Sequence, residues 1–526
     1  MLSKVRNVLG YLFPQKQTDI EKKFIELNRK FWRKENLNKE STSNYILVEG
    51  QIICPASIID KARIAKAIEE VTGYRSVVYL RGFYEKANST SQIYRSFNIN
   101  KFYMWWSGYL NPTIVLPALY ATVHTMVTCK DGKQLIDLVY KNIEIGDLIY
   151  DTLIRYKPNT YTIRKINFSH FRLIFRAFLA FHNNEYMIKK FRPRYLVTSH
   201  NVYAEFGLLP RQIKKHRKSV IFLKDIYAYK CYGVDANIKE HFLKPSLAEF
   251  QRNLASANFI VNAKAYFFSR FEGSVDQIDV KNAFVGKKKY DFDELKEKYP
   301  NLSKGKKNVV VMSHAFSDAP HVGEGLLFSD YYDFLEQTLR YLNSCDSINC
   351  FVKPHPSSYM WNEKGGVEEM IERNRFGNIY ITPSDFNTNS IADFADCIVT
   401  AKGTAGLEFS CLGIPAITAG RGYYSGFGIT SEPNTKEEYF ELLGKCHLLG
   451  KLDEQIINKA VVLLYMVSLS RRHSDILPAQ HIMPNENYAD VFESKFAEVV
   501  GNIEAGKEMK DSFYNEVKAH AIQNYV

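Results

Sequence analysis

Two αβα domains with parallel sheets, facing each other and followed by a helical C-terminal region, are the fold class this sequence predicts, on three observations. Short apolar runs rich in β-branched and aromatic residues alternate with longer stretches whose apolar residues fall at helical spacing, the pattern of repeated strand and crossover helix. One polar, lysine-rich passage, "GKKKYDFDELKEKYPNLSKGKKN" (286–308), interrupts that alternation, which then restarts. The chain has 526 residues, more than one ordinary core accommodates, and its 46% hydrophobic and 14% aromatic content suits folded domains and excludes general disorder.

In chain order, residues 1–40 form a basic segment: the first 36 residues carry nine Lys/Arg and four acids, with Leu, Phe and Trp interspersed. Such a segment either lies on an anionic membrane face or packs as a solvated helix on its own domain. The first Rossmann-like domain is expected over 41–290, with strands at 44–50, 74–82, 194–200, 219–225 and "NFIVNA" (258–263), and helices over "PASIIDKARIAKAIEEVTG" and "NVYAEFGLLPRQIKKHRKS". From Phe102 to Cys129 no charged residue occurs. Pro112, Pro117, Gly108, Asn111 and His124 break it up, so it is expected to be a buried strand and helix and not a membrane span. The second domain is expected over 305–435, with strands at 308–315, 348–356, 378–383, 396–401 and 414–420 and helices near 330–343 and 405–413; a helical, polar region follows over 436–526.

A net charge of +12 and pI near 9.0 call for an anionic partner without naming it. The eight cysteines show neither CxxC nor zinc spacing, which predicts buried thiols, a reducing compartment and no metal site. "MLSKVRNVLGYLFPQK" lacks the features of a signal peptide, so a cytoplasmic protein is expected.

Ligands of open parallel sheets bind beyond the carboxyl ends of strands, where the chemically informative residues of the second half fall. "VTAKGTAGLEFSCLGIPAITAG" (399–420) brings Gly403, Thr404, Ala405 and Gly406 to a strand-to-helix turn, a place for phosphate, with Glu408 one turn on to accept from ribose hydroxyls. A Gly-rich helix cap with an ion-paired Glu accounts for that turn equally well.

Taken together, the string from Thr400 to Tyr424, "KPHP" (353–356), "SHAFSDAPHVGEGLLFSDYYDFL" (313–335), "IEIGDLIYDTLIR" (143–155) and "SHNVYAEFGLLPR" (199–211) resemble the bacterial capsule polysaccharide biosynthesis glycosyltransferases, a group that includes Kdo transferases. "KPHP" is also similar to the His-Pro motif of CMP-sugar sialyltransferases. The resemblance covers about 143–430, and it implies a GT-B fold, a nucleotide sugar held by the second domain as substrate, and neither cofactor nor metal.

In that light Pro354 and Pro356 fix the backbone around His355. The imidazole, with Lys353 beside it and Ser357 and Ser358 after it, is expected to bind the donor phosphate and stabilise the departing nucleotide. Asp318, between His314 and His321, is a candidate for sugar contact or acid–base work, against the plainer role of a turn residue. His200, Tyr203 and Glu205 follow a first-domain strand and are assigned to the acceptor side, Glu205 as a candidate base. Asp147 and Asp151 share a helix face with Arg155 and read as an intrahelical ion pair.

The function that the resemblance implies is transfer of a sugar, Kdo or another acidic sugar from a CMP donor, to a glycan or lipid-linked acceptor. Peripheral contact with the inner membrane and with capsule-assembly proteins fits the charge. A CDP-polyol phosphotransferase of teichoic-acid type is the alternative, and a sugar-nucleotide epimerase shares the architecture. A nucleic-acid-binding protein is disfavoured, since no recognition signature accompanies the dispersed basic residues.

Overall fold

The computed structural model describes residues 17–32, 44–52, 54–85, 89–217, 219–225, 228–274, 283–361, 363, 365–470, 472–477 and 488–525. Much of the basic N-terminal segment, residues 1–16 and 33–43, lies outside them.

Thirteen strands occur among these residues: β1 (Tyr45–Glu49), β2 (Arg75–Leu80), β3 (Phe102–Met104), β4 (Val139–Tyr140), β5 (Ile143–Glu144), β6 (Pro193–Thr198), β7 (Val220–Lys224), β8 (Tyr229–Tyr232), β9 (Lys307–Met312), β10 (Ile348–Lys353), β11 (Ile379–Ile381), β12 (Cys397–Thr400) and β13 (Ala416–Thr418). One sheet has the order β3-β2-β1-β6-β7-β8 and the other β11-β10-β9-β12-β13, while β4 and β5 make a small hairpin. All pairings in the two large sheets are parallel except that of β7 with β8 at an edge. Chain order therefore reverses between β1 and β6 in the first sheet and between β9 and β12 in the second. The crevices at these two reversals are where such sheets take ligands. Helices cover both faces of each sheet, which explains why the strands read as nearly continuous apolar runs. This is the expected pair of Rossmann-like domains in a GT-B-like arrangement.

Three expectations need correction. "NFIVNA" is not a strand: it opens the helix Ala257–Phe271, whose first turn is capped by the Ser256 side chain accepting from the Phe259 amide. Ala263, Phe267 and Arg270, the buried residues of that helix, recur at a spacing of three to four, so the helical period governs the short apolar run. This helix packs against Glu454–Leu469, and its Phe267 joins a cluster with Leu407 and Leu463. The second domain thus gathers residues from well before the lysine-rich passage, whose own helix Phe292–Lys298 also serves the second sheet through Leu295.

The C-terminal helices do not form a separate region. The helix Ser512–Gln523 returns to the first domain and covers Pro55–Thr72. Arg63 there is buried and pairs with Glu508 at 3.1 Å and Asp511 at 2.5 Å, while buried Asp60 meets Lys224 at 3.3 Å. In the N-terminal segment, the helix Asp19–Trp32 turns Phe24, Ile25 and Trp32 inward against Phe97, Phe496 and Tyr514, so its apolar stripe is spent on the fold and not on a membrane.

The uncharged stretch 102–129 is β3, the turn Trp105–Leu110 and the helix Pro112–Thr128. It was expected to be buried, yet only one face of that helix is covered, by the helix Phe171–Phe191. All eight cysteines are free thiols.

Candidate active site

Carboxyl-end loops of both sheets wall a cleft of about 690 Å³. From the second domain it receives His314 and Asp318 after β9, Lys353 and His355 at the end of β10, and Lys402 to Ala405 with Glu408 after β12; from the first come Ser199, His200 and Tyr203 after β6 and Asp225 after β7. Most of the residues chosen on sequence grounds thus converge.

The "KPHP" turn has defined chemistry. His355 Nδ1 accepts from the Ser357 amide at 3.2 Å, which leaves the ring proton of the neutral form on Nε2, so His355 presents a donor. Lys353 ends β10, and its side chain is almost wholly buried. Burial, with Lys287 adding repulsion, lowers its pKa to about 7. Among the described residues its ammonium has neither a hydrogen-bond nor an ion-pair partner. Ser357 and Ser358 do not line the cleft: Ser357 is buried, and the Ser358 amide closes the turn on the His355 carbonyl at 3.2 Å. Their part is to hold the imidazole.

At the sheet reversal the Thr400 hydroxyl donates to His314 Nε2 at 3.1 Å and accepts from the Gly403 amide at 3.3 Å, and the Lys402 amide also donates to that ring nitrogen. His314 stacks on Tyr331 at 4.0 Å between centroids. Burial, then His355 and Lys402, hold it well below the usual histidine pKa, so it stays a neutral ring that braces the turn. A Cβ on Gly403 would stand 3.0 Å from Thr400 Oγ1 and 3.2 Å from the His314 ring, which accounts for the glycine.

Thr404 and Ala405 reach the cleft at the start of the helix Thr404–Ser410. Gly406 does not; a Cβ there would meet Tyr424 Oη at 2.8 Å, so this glycine serves packing. Glu408 lines the cleft while its Oε1 accepts from Arg270 at 2.6 and 2.8 Å. The ion-paired alternative for Glu408 is what the structure has.

Asp318 is exposed to the cleft, and its charge is among the causes that raise the pKa of Tyr203 on the opposite wall, after burial. Its loop is pinned by buried Glu363, which accepts from the Ser317 amide at 2.8 Å and hydroxyl at 2.9 Å. Tyr203 and Ala319 both sit in left-handed backbone, at φ 55° and 41°. Non-glycine residues adopt it at a cost of ~1 kcal/mol or more, and such strain gathers at functional sites.

Glu205, His321, Asp147 and Asp151 are also placed otherwise than expected. Glu205 faces a second cavity of about 400 Å³ and accepts from Arg81 at 2.6 Å. Trp105, Trp106, Tyr109 and Arg176 also line that cavity, and Tyr156 is shared with the cleft. The Trp105 indole N–H is buried there without a partner. His321 leaves the cleft: its Nδ1 lies 2.6 Å from Asp151 Oδ1, and its amide donates to Oδ2 at 3.2 Å. Asp147 binds both Arg211 nitrogens at 2.6 Å. The two aspartates of that helix therefore serve distant partners and make no intrahelical pair with Arg155.

Sequence reasoning missed Lys402, Arg270 and the buried trio Glu49, Lys61 and Ser199. Lys402 donates to the Val322 carbonyl at 2.6 Å and has a pKa lowered by burial to about 8. Glu49 ends β1 at the first sheet's reversal and accepts from Lys61 and Ser199, and Lys61 also donates to Ser199 at 2.9 Å. Lys402 stood beside the glycine turn and was legible as a cation. The partners of the others lie too far along the chain to be paired from sequence.

Residues 191–445 match the family model described as capsule polysaccharide biosynthesis protein. The chain is similar to the capsule polysaccharide modification protein LipA of Neisseria meningitidis serogroup A, 23% identical over 144 residues, 27% of this chain. That match spans 20% of the relative's own length. Among solved structures, the Thermosulfurimonas dismutans KpsC β-Kdo 2,4 transferase aligns with 51% of this chain and 79% of its own, at 12% identity and TM-score 0.34. The KpsC β-Kdo 2,7 transferase of that organism aligns with 61% and 88%, at 14% identity and TM-score 0.29. The matched segment 191–445 contains His314, Asp318, Lys353, His355 and the 400–408 turn, and over that segment the chain is similar to the capsule polysaccharide biosynthesis proteins.

Proposed function

We propose that the chain is a capsule glycosyltransferase that holds a nucleotide-sugar donor against the second domain and transfers its sugar to a glycan acceptor entering from the first. One observation carries this reading: Lys353, buried and without a partner among the described residues, lines the same cleft as His355, whose Nδ1 is engaged so that its Nε2 carries the proton, and as Asp318. A cation and a neutral donor so placed suit a phosphate on which charge grows as its bond to the anomeric carbon breaks. In the transfer, the acceptor hydroxyl oxygen bonds to the anomeric carbon and gives its proton to a base, and the nucleotide departs with the bonding electron pair.

Asp318, the exposed carboxylate of the cleft, is the proposed base. Glu205 is tied to Arg81 outside the cleft. The aromatic cavity with Arg81, Arg176 and the unpartnered Trp105 N–H suits the acceptor, since sugars pack on aromatic faces and acidic sugars pair with arginine. For the donor, an acidic sugar on CMP is proposed, the two lysines and Arg155 offering charge to a carboxylate as well as a phosphate.

Titration of the purified protein with CMP, UDP, GDP and ADP, beside His355→Ala, tests the reading. CMP preference weakened by the substitution is expected. UDP preference would keep the transferase and discard the acidic-sugar donor, and an absence of nucleotide binding would overturn the proposal.

A further inference from the structure

The helix Pro112–Thr128 contains no charged residue, and its outer face is bare. Leu116, Tyr120 and Val127 are 64%, 73% and 73% exposed, and Leu119 and Val123 are exposed between them. At spacings of three and four these five form one stripe, extended by Leu110 before the helix. At the far end, where the Ile166 amide donates to the Lys130 carbonyl, Phe168 is 81% exposed and stacks on Phe171, the first residue of the helix that packs alongside. Isolated exposed leucines need no explanation, but a continuous apolar strip of this kind marks an interaction surface.

Charge identifies the occupant. Around this helix pair basic residues outnumber acidic ones: Lys130, Lys157, Arg164, Lys165, Arg172 and Arg176 stand against Asp131 and Glu185, and Glu185 is paired with Lys141 at 2.7 Å. Lys130, Lys165 and Arg172 are exposed around Phe168. The surface is the aliphatic ridge of one helix, with aromatic residues at its edge and a mainly basic rim. No helix among the described residues is long and apolar enough to cross a membrane, and this one has 17 residues. We infer that this ridge lies on an anionic lipid bilayer, with the aliphatic stripe among the acyl chains and the lysines and arginines against the headgroups. The turn Trp105–Leu110 enters the helix directly and supplies Trp105, Trp106 and Tyr109 to the aromatic cavity. Docking in this way places that cavity at the membrane, within reach of an acceptor carried by a lipid. That last step rests on the transferase reading, while the docking itself does not.

Co-sedimentation of the full chain with vesicles of phosphatidylglycerol and phosphatidylcholine, and with phosphatidylcholine alone, tests the inference, using Leu116→Ser/Val123→Ser as the variant. Both side chains are exposed, so folding and nucleotide binding should be unchanged, and nucleotide binding measured without lipid keeps the two readings separable. The expected result is salt-sensitive binding to the anionic vesicles that the double substitution weakens about a hundredfold, roughly tenfold for each aliphatic side chain withdrawn from the bilayer. Equal binding by variant and parent would overturn the inference, as would no binding by the parent. A parent that is dimeric in light scattering and becomes monomeric on substitution would also overturn it, assigning the ridge to a second copy of the chain.

Discussion

Replacing Lys353 with Met tests the donor site at its most unusual group. With a pKa of about 7 the ammonium is half charged at pH 7, and by the same titration only about one in thirty is charged at pH 8.5. If the phosphate of a bound nucleotide requires the charged form, affinity falls about fifteenfold across that interval. A charge-assisted contact is worth about 1.5–3 kcal/mol, so Lys353→Met should weaken binding at pH 7 by about ten- to a hundredfold and remove most of the pH slope. Stability should move the other way. The unfolded chain binds the lysine proton up to about pH 10.5 while the folded chain gives it up near 7, so the buried lysine destabilises the free protein most below pH 7 and progressively less as pH rises. The methionine variant should therefore melt at a higher temperature than the parent at pH 6.5 without ligand. Calorimetric titration with the preferred nucleotide at pH 7.0 and 8.5, and melting curves without it, measure both effects. A flat affinity profile in the parent, or a full slope kept by the variant, would refute the argument; a small residual slope would belong to Lys402, whose pKa is lowered to about 8.

His355→Gln, which retains a side-chain N–H donor, should keep more turnover than His355→Ala, for which a loss of about 10²–10³ in kcat is expected in a coupled nucleotide-release assay. Glu408→Ala removes a carboxylate that pairs with the buried guanidinium of Arg270 and should cost about 3 kcal/mol in denaturant unfolding, with part recovered in Glu408→Ala/Arg270→Met. Gly406→Ala drives a methyl group to 2.8 Å from Tyr424 Oη; a cost of about 1–3 kcal/mol is expected, relieved by Tyr424→Phe.

Both sheets were legible because a strand covered on two faces is an uninterrupted apolar run, as in "SVIFLK" and "NVVVM", and because turn formers bound each run. The same rule misread "NFIVNA", whose first four residues are apolar or capping in either geometry; only the later recurrence of Ala263, Phe267 and Arg270 marks the helix. It also failed on Pro112–Thr128, because absence of charge was taken for burial when the helix has one covered and one bare face. At the site, residues attached to one turn were legible together, as with Lys353 and His355, since proline geometry is local. What the sequence did not show for Glu205, Glu408, Asp147 and Asp151 is their partners, arginines or a histidine far along the chain, which only the assembled domains bring within reach.

The Asp151–His321 pair joins the helix Gly146–Tyr156 of the first domain to the loop after β9 of the second, beside the bond from the Tyr150 hydroxyl to Asp330. This is the loop that carries Asp318, so the angle between the domains and the placement of the proposed base depend on the same contact. Burial disfavours a charged His321 ring, but the charge and hydrogen bond of Asp151, with Asp147 adding to them, raise its pKa above the ordinary value. Because the folded value is the higher one, the stabilisation is fully present below about pH 6.5 and is lost as pH rises through the folded pKa. Asp151→Asn should therefore cost about 3 kcal/mol at pH 6 and progressively less as pH rises through the folded pKa of His321, for instance at pH 9. Urea unfolding at the two pH values measures this difference. A cost that stays constant or grows with pH would show that the contact works through packing alone, and that the charged pair does not set how the Asp318 loop meets the first domain.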